Sequence, residues 1–296
     1  MRLHLIDGTY ELFRAHYSRG PSRTDPRGRD VKATVGVVSS LLSLLADPDE
    51  RVTHLAVAFD HPIESFRNRA FEGYKDSSGV EEELLAQFGP VEEAVAALGV
   101  VAWPMDAYEA DDALATAAAR WAGDVEQVRI LTPDKDLGQA VDGDRVVQVD
   151  RSRGRVLDAE GVTAKLGVPP PSVPDHLALV GDTADGIPGL PGFGAKTSAA
   201  LLSRYHHLEA IPAAPDDWDV EVRGKPRLAE MLRERFDDAL LYRDLATLRT
   251  DVPLDEALDD LAWHGAPRDR WHAWCDELGV GRLRDRPHRW AEPDTP

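Results

Sequence analysis

The sequence predicts an α/β domain built on a mostly parallel sheet with helices on both faces, followed by a nearly all-helical region. Three observations carry this. Short apolar runs alternate with helix-forming stretches through the first half of the chain, the pattern of βαβ units. Those runs end on acids: residues 3–6 on Asp7, residues 55–59 on Asp60, and residues 127–131, through Thr132-Pro133, on Asp134. Beyond the stiff connector Pro169-Pro170-Pro171 and Pro174 the reading turns helical, which divides the chain into 1–172 and 173–296.

The elements follow in order. Residues 3–6 form a buried-type strand closing on Asp7-Gly8, and 9–17 read as a helix with Leu12 and Phe13 inward. A Gly/Pro/Arg-rich loop over 19–32 carries Arg19, Arg23, Arg27, Arg29 and Lys32. An apolar helix spans about 33–46, and a second strand, 55–59, ends in Asp60. Ser65 to Phe71, Tyr74-Lys75 and a polar stretch to Glu81-Glu82-Glu83 lead to a helix over 91–98 and a short strand over 99–102. Tyr108-Glu109-Ala110-Asp111-Asp112 opens an Ala-rich helix through Trp121, favoured by the propensity of alanine. The third run, 127–131, leads into Asp134-Lys135-Asp136; a fourth strand, 145–149, precedes a basic hairpin turn at 151–155. In the second region, helices over 175–182 and 196–204 frame a Gly/Pro turn at 186–197, further helices lie at 227–249 and 268–278, and 286–296 reads as loose.

Composition sets limits. With 296 residues, 43% of them hydrophobic, the chain forms one large domain or two. The single cysteine, Cys275, excludes an intramolecular disulfide and fits a reducing compartment. No apolar run is long enough to span a membrane and the chain begins directly as a strand, so a cytoplasmic protein is expected. A formal net charge of −19 argues against a nucleic-acid binder. Local charge decides binding, however, and a site made of carboxylates inflates the negative total.

The acids form the main constellation: Asp7, Asp60, Glu109, Asp111, Asp112, Asp134, Asp136, Asp182 and Asp185. In parallel sheets, ligands sit outside the carboxyl ends of the strands, where Asp7, Asp60 and Asp134 fall. Glu109 and Asp112, like Asp182 and Asp185, share a face if their segments are helical, and Asp134 and Asp136 share a side if theirs is extended. Any one acid taken alone reads better as a helix cap or a surface charge. The set at one rim does not, because crowded carboxylates repel unless a cation lies between them. Oxygen-only donors favour Mg²⁺ or Mn²⁺ over zinc, and two such ions about 4 Å apart suit in-line attack on a phosphodiester.

Two further groups accompany the acids. Arg67 and Lys75 flank Phe66, Phe71 and Tyr74; cations beside a metal site clamp a phosphate, and an aromatic ring stacks on a base. The bland alternative is an amphipathic helix with core aromatics. Closely spaced glycines between Gly189 and Lys196 let backbone amides approach phosphates at a helix start, with Lys196 and Thr197 as added donors; the alternative is a tight turn needing positive φ. Two patterns fail. Gly192-Phe193-Gly194-Ala195-Lys196-Thr197 lacks the Walker spacing and follows a helix. Leu5-Ile6-Asp7-Gly8-Thr9 lacks the first acid of an aspartyl-phosphate motif. The ten histidines are scattered and show no Ser/His/Asp logic.

Six motifs now stand in order: Ile6-Asp7-Gly8; Ala58-Phe59-Asp60; Phe66-Arg67 through Tyr74-Lys75; Tyr108-Glu109-Ala110-Asp111-Asp112; Leu131-Thr132-Pro133-Asp134-Lys135-Asp136; and Gly181-Asp182-Thr183-Ala184-Asp185 running into Gly192–Thr197. With them the chain resembles the bacterial 5′-3′ exonuclease and flap endonuclease family, which includes the N-terminal nuclease domain of DNA polymerase I. The resemblance covers residues 1 to roughly 210. It implies a PIN-like (Rossmann-like) nuclease domain and a helix–three-turn–helix element that grips duplex DNA, with a potassium ion at its carbonyls. It also implies one metal held by Asp7, Asp60, Glu109 and Asp111, with Asp112 in contact directly or through water. A second metal would be held by Asp134, Asp136, Asp182 and Asp185. Arg67 and Lys75 would be the phosphate-clamping cations and Tyr74 the stacking residue, while Arg14, Gly192, Gly194, Lys196 and Thr197 would contact DNA.

The resemblance therefore implies a metal-dependent nuclease acting on 5′ ends, flaps or nicks in primer removal or repair, with a monomer as the default. Two rivals are weighed. A non-catalytic DNA-structure binder would look like a chain that had lost acids, and this one keeps them. A PIN-type ribonuclease would be shorter and would lack the Gly-rich helical turn. One departure stands out: after Tyr74-Lys75 the family has a basic, Pro-containing segment arching over the 5′ strand, where this chain has Asp76-Ser77-Ser78-Gly79-Val80-Glu81-Glu82-Glu83. A second is minor: Asp185-Gly186 stands where the family often has Asp-Asn.

Overall fold

A computed structural model describes residues 1–292. In chain order the elements are β1 (Arg2–Asp7), α1 (Gly8–His16), α2 (Lys32–Leu45), β2 (His54–Asp60), α3 (Phe66–Ala70), α4 (Glu82–Leu85), α5 (Phe88–Ala97), β3 (Val101–Met105), α6 (Ala110–Trp121) and β4 (Gln127–Leu131). They continue with β5 (Val146–Asp150), β6 (Arg155–Leu157), α7 (Ala159–Leu166), α8 (Val173–Val180), α9 (Ala195–Tyr205), α10 (Lys225–Glu234), α11 (Phe236–Ala246) and α12 (Arg268–Glu277). The chain divides into two compact units: Met1–Ile63, Ser77–Leu131 and Asp251–Pro296 in the first, Glu64–Asp76 and Thr132–Thr250 in the second. No described helix is long and apolar enough to cross a membrane.

The first unit holds the expected parallel sheet, in the order β3-β2-β1-β4. Its registers run Leu3↔His54 to Asp7↔Ala58, Arg2↔Gln127 to Ile6↔Leu131, and Ala56↔Val101 to Asp60↔Met105. Leu3, Leu5, Ala56, Val57, Ala58, Phe59, Val128 and Ile130 are fully buried, the continuous apolar run of strands covered on both sides. Gly8 follows β1 because a Cβ there would lie 2.7 Å from the Ala58 carbonyl oxygen, so glycine lets α1 start hard against β2. The strand expected over 99–102 sits later, at Val101–Met105: Gly99, at φ +77°, ends the preceding helix and delays the pairing with β2.

In the second unit, β5 and β6 form the antiparallel hairpin that the 151–155 turn predicted, paired from Gln148↔Leu157 to Asp150↔Arg155. The single helix expected over 227–249 is two helices, α10 and α11. The break falls at Arg235, φ −118°, whose Nε bonds Asp238 in the first turn of α11 at 2.7 Å. The turn lets Leu228 and Leu232 of one helix and Ala239, Tyr242 and Leu245 of the other enter one core.

The segment expected to be loose, 286–296, is anchored over its described part. Ala266 N donates to Arg289 O and Ala291 N to Ala266 O, both at 3.0 Å, and the Arg268 guanidinium lies 4.4 Å from the Trp290 ring centroid. Residues 293–296 lie outside the described residues.

Below the sheet, His4 is fully buried and its Nε2 lies 3.1 Å from Glu50 Oε2, with Arg129 Nε 2.8 Å from the same carboxylate oxygen. Burial lowers the imidazole pKa, against the Glu50 hydrogen bond, so we assign His4 as neutral and donating. The His4 hydrogen bond and the Arg129 charge, against burial, hold Glu50 down to about 2. Unfolding frees His4 to take a proton that the native state refuses. Its contribution is therefore present above the ordinary imidazole value of 6.5 and is lost as pH falls below it. Glu50 adds a loss only at lower pH, from its ordinary 4.5 down through about 2. Thermal melts should show stability falling from about pH 6.5 downwards, and His4→Asn should be less stable but shallower between about pH 6.5 and 5. Parallel profiles for the two proteins would remove His4 as the cause.

Candidate metal centre

In the first unit, Asp7 and Asp60 stand at the carboxyl ends of β1 and β2, and Glu109, Asp111 and Asp112 stand at the start of α6. Asp7 ends β1 and caps α1, its Oδ1 accepting from Tyr10 N at 2.7 Å. Asp60 ends β2; its Oδ1 accepts from Ala110 N, the first residue of α6, at 2.7 Å, so its charge meets the positive end of that helix. Thr9, given no role by the sequence, ties the two strand ends together: its Oγ1 accepts from Asp60 N at 2.8 Å.

Glu109 is 4% exposed and stands just before α6. Its N–H donates to Asp112 Oδ2 at 3.0 Å, closing a capping box. Asp112, fully buried, therefore fixes the helix start and the Glu109 backbone, whereas Asp111 is half-buried. The spacing that suggested three crowded ligands thus resolves into two kinds of acid.

In the second unit, Asp136, Asp182 and Asp185 each offer a carboxylate oxygen, and these atoms all lie within 4.8 Å of one another. Three local structures deliver them. Asp136 begins a 3₁₀ turn and its N–H donates to Asp134 Oδ1 at 3.1 Å, while Asp134 N donates to Thr132 Oγ1 at 3.2 Å. Asp182 leaves α8 through Gly181, φ +87°, and exchanges backbone hydrogen bonds with Ile187, each 2.8 Å. Gly186, φ +76°, turns the chain after Asp185 beneath the Gly73 carbonyl, where no Cβ has room, and Lys75 N donates to Asp185 O at 3.0 Å. Gly186 therefore meets two demands at once, a positive φ and a close backbone approach that excludes any side chain.

Electrostatics mark this group as strained. Burial, then the charges of Asp134 and Asp185, push the Asp136 carboxyl well above the ordinary carboxylate range, and Lys135 offsets only part of that. Asp136 Oδ1 is buried without a hydrogen-bond donor. Lys135, another residue the sequence left without a role, bonds Asp182 and lies 3.7 Å from Asp136 Oδ1. Burial pulls its ammonium down, but Asp136 and Asp182 more than restore it, leaving it above its ordinary value. Lys75 Nζ lies 3.0 Å from Asp185 Oδ1. Three carboxylates within 4.8 Å of one another, one of them short of a donor and with the Asp134 charge beside it, fit a hard divalent cation.

The other expected residues separate. Arg67, expected as a phosphate clamp, is 1% exposed; its Nε donates to Leu245 O at 2.7 Å and its Nη2 to Thr247 O at 3.1 Å. It fastens the end of α11. Tyr74, expected to stack on a base, is 5% exposed and packs in the apolar core of the second unit, so stacking would require it to leave that core. Arg14 is partly exposed and pairs with Glu11.

In the turn between α8 and α9, Gly181, Gly186, Gly189 and Gly192 all have positive φ. Gly194 precedes α9 with no side-chain cap, leaving its first amides to other acceptors, and Lys196 is exposed beside them.

Two family descriptions match the chain: 5′-3′ exonuclease, N-terminal resolvase-like domain, at residues 2–167, and 5′-3′ exonuclease, C-terminal SAM fold, at 168–269. The chain is 35% identical over 284 residues to DNA polymerase I of Bacillus caldotenax, covering 94% of this chain but 31% of that protein, so it spans about a third of that curated relative. Among solved structures it resembles the bacteriophage T5 D15 flap endonuclease in a pseudo-enzyme–product complex with DNA and metal ions, with TM-score 0.63, 18% identity, and 95% and 100% of the two chains covered. It also resembles the catalytic core of Rad2 in complex with DNA substrate, with TM-score 0.59, 16% identity, and 94% and 88% covered. At these identities the structural likeness is one of fold.

Proposed function

The chain belongs to the 5′-3′ exonuclease family, and on that premise we propose that it hydrolyses DNA phosphodiester bonds near 5′ ends, flaps or nicks, using two divalent cations. The observation that carries the reading is the Asp136–Asp182–Asp185 group, its first two members buried and its third half-buried, with the raised Asp136 carboxyl and its undonated oxygen. With the full acid set retained, the non-catalytic reading has no support.

Asp134, Asp136, Asp182 and Asp185 would hold one cation; Asp7, Asp60, Glu109 and Asp111 the other. The donors are all oxygens, which favours Mg²⁺ or Mn²⁺. When bound, such ions neutralise phosphate charge and lower the pKa of water. The chain's own residues do the rest. Asp112 and Thr9 fix the backbone from which Glu109 and Asp60 act. Lys75, which lies beside Asp185, would be the cation that meets the scissile phosphate, and Arg67 supports the end of α11. The α9 amides, Lys196 and Thr197 would grip a duplex phosphate, with potassium at the turn carbonyls around Gly192 and Gly194.

The acidic stretch separates this chain from its family. Glu81, Glu82 and Glu83 are exposed, and Glu81 lies 3.0 Å from His16 Nε2. Like charge there opposes a phosphate backbone. The test compares a labelled long 5′ flap with a nicked duplex, in Mg²⁺ or Mn²⁺, for the native chain and Asp134→Asn. The native chain should cut both, the nick more efficiently, and Asp134→Asn should be slower by at least about 10²-fold. No cutting by the native chain overturns the nuclease reading. Tight, efficient flap cleavage at moderate salt overturns the reading of the acidic stretch.

A further inference from the structure

We propose that Lys135 is a displaceable counter-ion: it holds Asp182 until a divalent cation takes that carboxylate, and the freed ammonium then grips the DNA phosphate. Lys135 thereby couples cation binding to substrate binding. The proposal rests on the metal-centre and nuclease reading above, and every residue it needs lies in the second unit.

The geometry sets ammonium and cation in competition. Lys135 Nζ bonds Asp182 Oδ2 and lies 3.7 Å from Asp136 Oδ1, on two of the three carboxylates that crowd within 4.8 Å. The other oxygen of Asp182 is committed, since Oδ1 accepts from Ala184 N at 3.0 Å. A cation that uses Asp182 must therefore take Oδ2, the oxygen that Lys135 holds. An ammonium and a divalent ion sharing that oxygen would be like charges at contact distance. Lys135 is also an incomplete occupant. At 3.7 Å it is beyond hydrogen-bond reach of Asp136 Oδ1, which is buried without a donor on a residue 5% exposed. One ammonium serves one carboxylate here, whereas a divalent ion can coordinate all three. The exchange favours the ion.

The residue type suits a contact that must break. Only six of the 34 basic residues are lysines, and the rest are arginines. Three of those six nevertheless meet this segment. They are Lys135, Lys75 with Nζ 3.0 Å from Asp185 Oδ1, and Lys165, whose Nζ donates to Pro133 O at 3.4 Å. Buried carboxylates elsewhere are paired with arginine: Asp25 with Arg29, Asp150 with Arg153 and Asp175 with Arg243. An arginine fork can hold a carboxylate through two parallel bonds, whereas an ammonium is a point charge on a flexible stem. The Lys135 backbone is fixed, its carbonyl accepting from Gly138 N at 3.0 Å, but its side chain is 36% exposed. Only the stem has to swing, and the anion that arrives with the substrate is a phosphate.

The experiment titrates Ca²⁺ into native protein, Lys135→Met and Lys135→Arg by calorimetry below their melting temperatures. Binding of labelled nicked duplex is then measured over a range of salt. Lys135→Met should bind Ca²⁺ about tenfold tighter, because a competitor is gone, and should melt lower without the ion. Lys135→Arg should bind Ca²⁺ more weakly than native protein, because its fork releases the carboxylate less readily. The salt slope separates displacement from a fixed neighbouring charge. With Ca²⁺ the native slope should exceed that of Lys135→Met by about 0.9, one phosphate contact. Without Ca²⁺ the two slopes should match, because Asp182 holds the ammonium. Native Ca²⁺ affinity in either variant overturns the proposal, as does a slope difference that is the same with and without the ion. If native protein binds no Ca²⁺, the metal centre and the proposal fall together. If the affinities and slopes shift as expected but the native chain never cuts DNA in Mg²⁺, the nuclease reading fails and the role of Lys135 stands.

Discussion

Asp136→Asn should slow turnover by about 10²–10³-fold or more while leaving DNA binding in place. The carboxyl is 5% exposed, lies beside three other aspartates, and is raised well above its ordinary range by burial, then by Asp134 and Asp185. Asparagine keeps the shape and removes a charge that a cation needs. The same change relieves repulsion, so without divalent ions the variant should melt at the native temperature or above it. Adding Mg²⁺ or Mn²⁺ should raise the native melting temperature and raise that of the variant much less, since ligand binding to the native state alone stabilises it by mass action. Thermal melts with and without the ion therefore read the site independently of cleavage. Equal ion-induced shifts in the two proteins would remove Asp136 from the metal centre.

Arg67→Met should behave in the opposite way, losing stability first. The guanidinium is 1% exposed and donates to the Leu245 and Thr247 carbonyls, and its ion lies 4.6 Å from the Phe66 ring centroid. Methionine fills much of the volume but leaves buried carbonyls without donors, which costs about 2–4 kcal/mol. Equilibrium unfolding should show that loss, and turnover measured well below the new melting temperature should fall far less than for Lys75→Ala. Native stability with a roughly 10²-fold fall in turnover would instead return Arg67 to the phosphate.

These two variants mark where the sequence was and was not readable. The parallel sheet was legible because β1, β2 and β4 are buried on both sides, so their composition is continuously apolar. The acids at strand ends were legible because a strand end is visible as the point where the apolar run stops. The roles of Asp112, Thr9 and Lys135 were not, because a capping box, a strand-end tie and an internal counter-ion are contacts between atoms that local spacing leaves open. Arg67 and Tyr74 were read as functional from their company. Burial, which only packing sets, places one under α11 and the other in a core. The break at Arg235 was hidden for the same reason: both halves of 227–249 have helical sequence, and the need to enter one core bends them.

The sequence by itself determined the alternation of strands and helices in the first half, the acid inventory, the Gly/Pro turn between α8 and α9, and the family to which the chain belongs. All of these rest on local pattern: periodicity of burial, backbone freedom at glycine, and motif spacing. Only the tertiary structure decided which acids crowd within 4.8 Å, which carboxyl is forced up by its neighbours, and which cations are already committed. Those properties depend on distance through space and on exclusion of water, and both are set when distant segments pack.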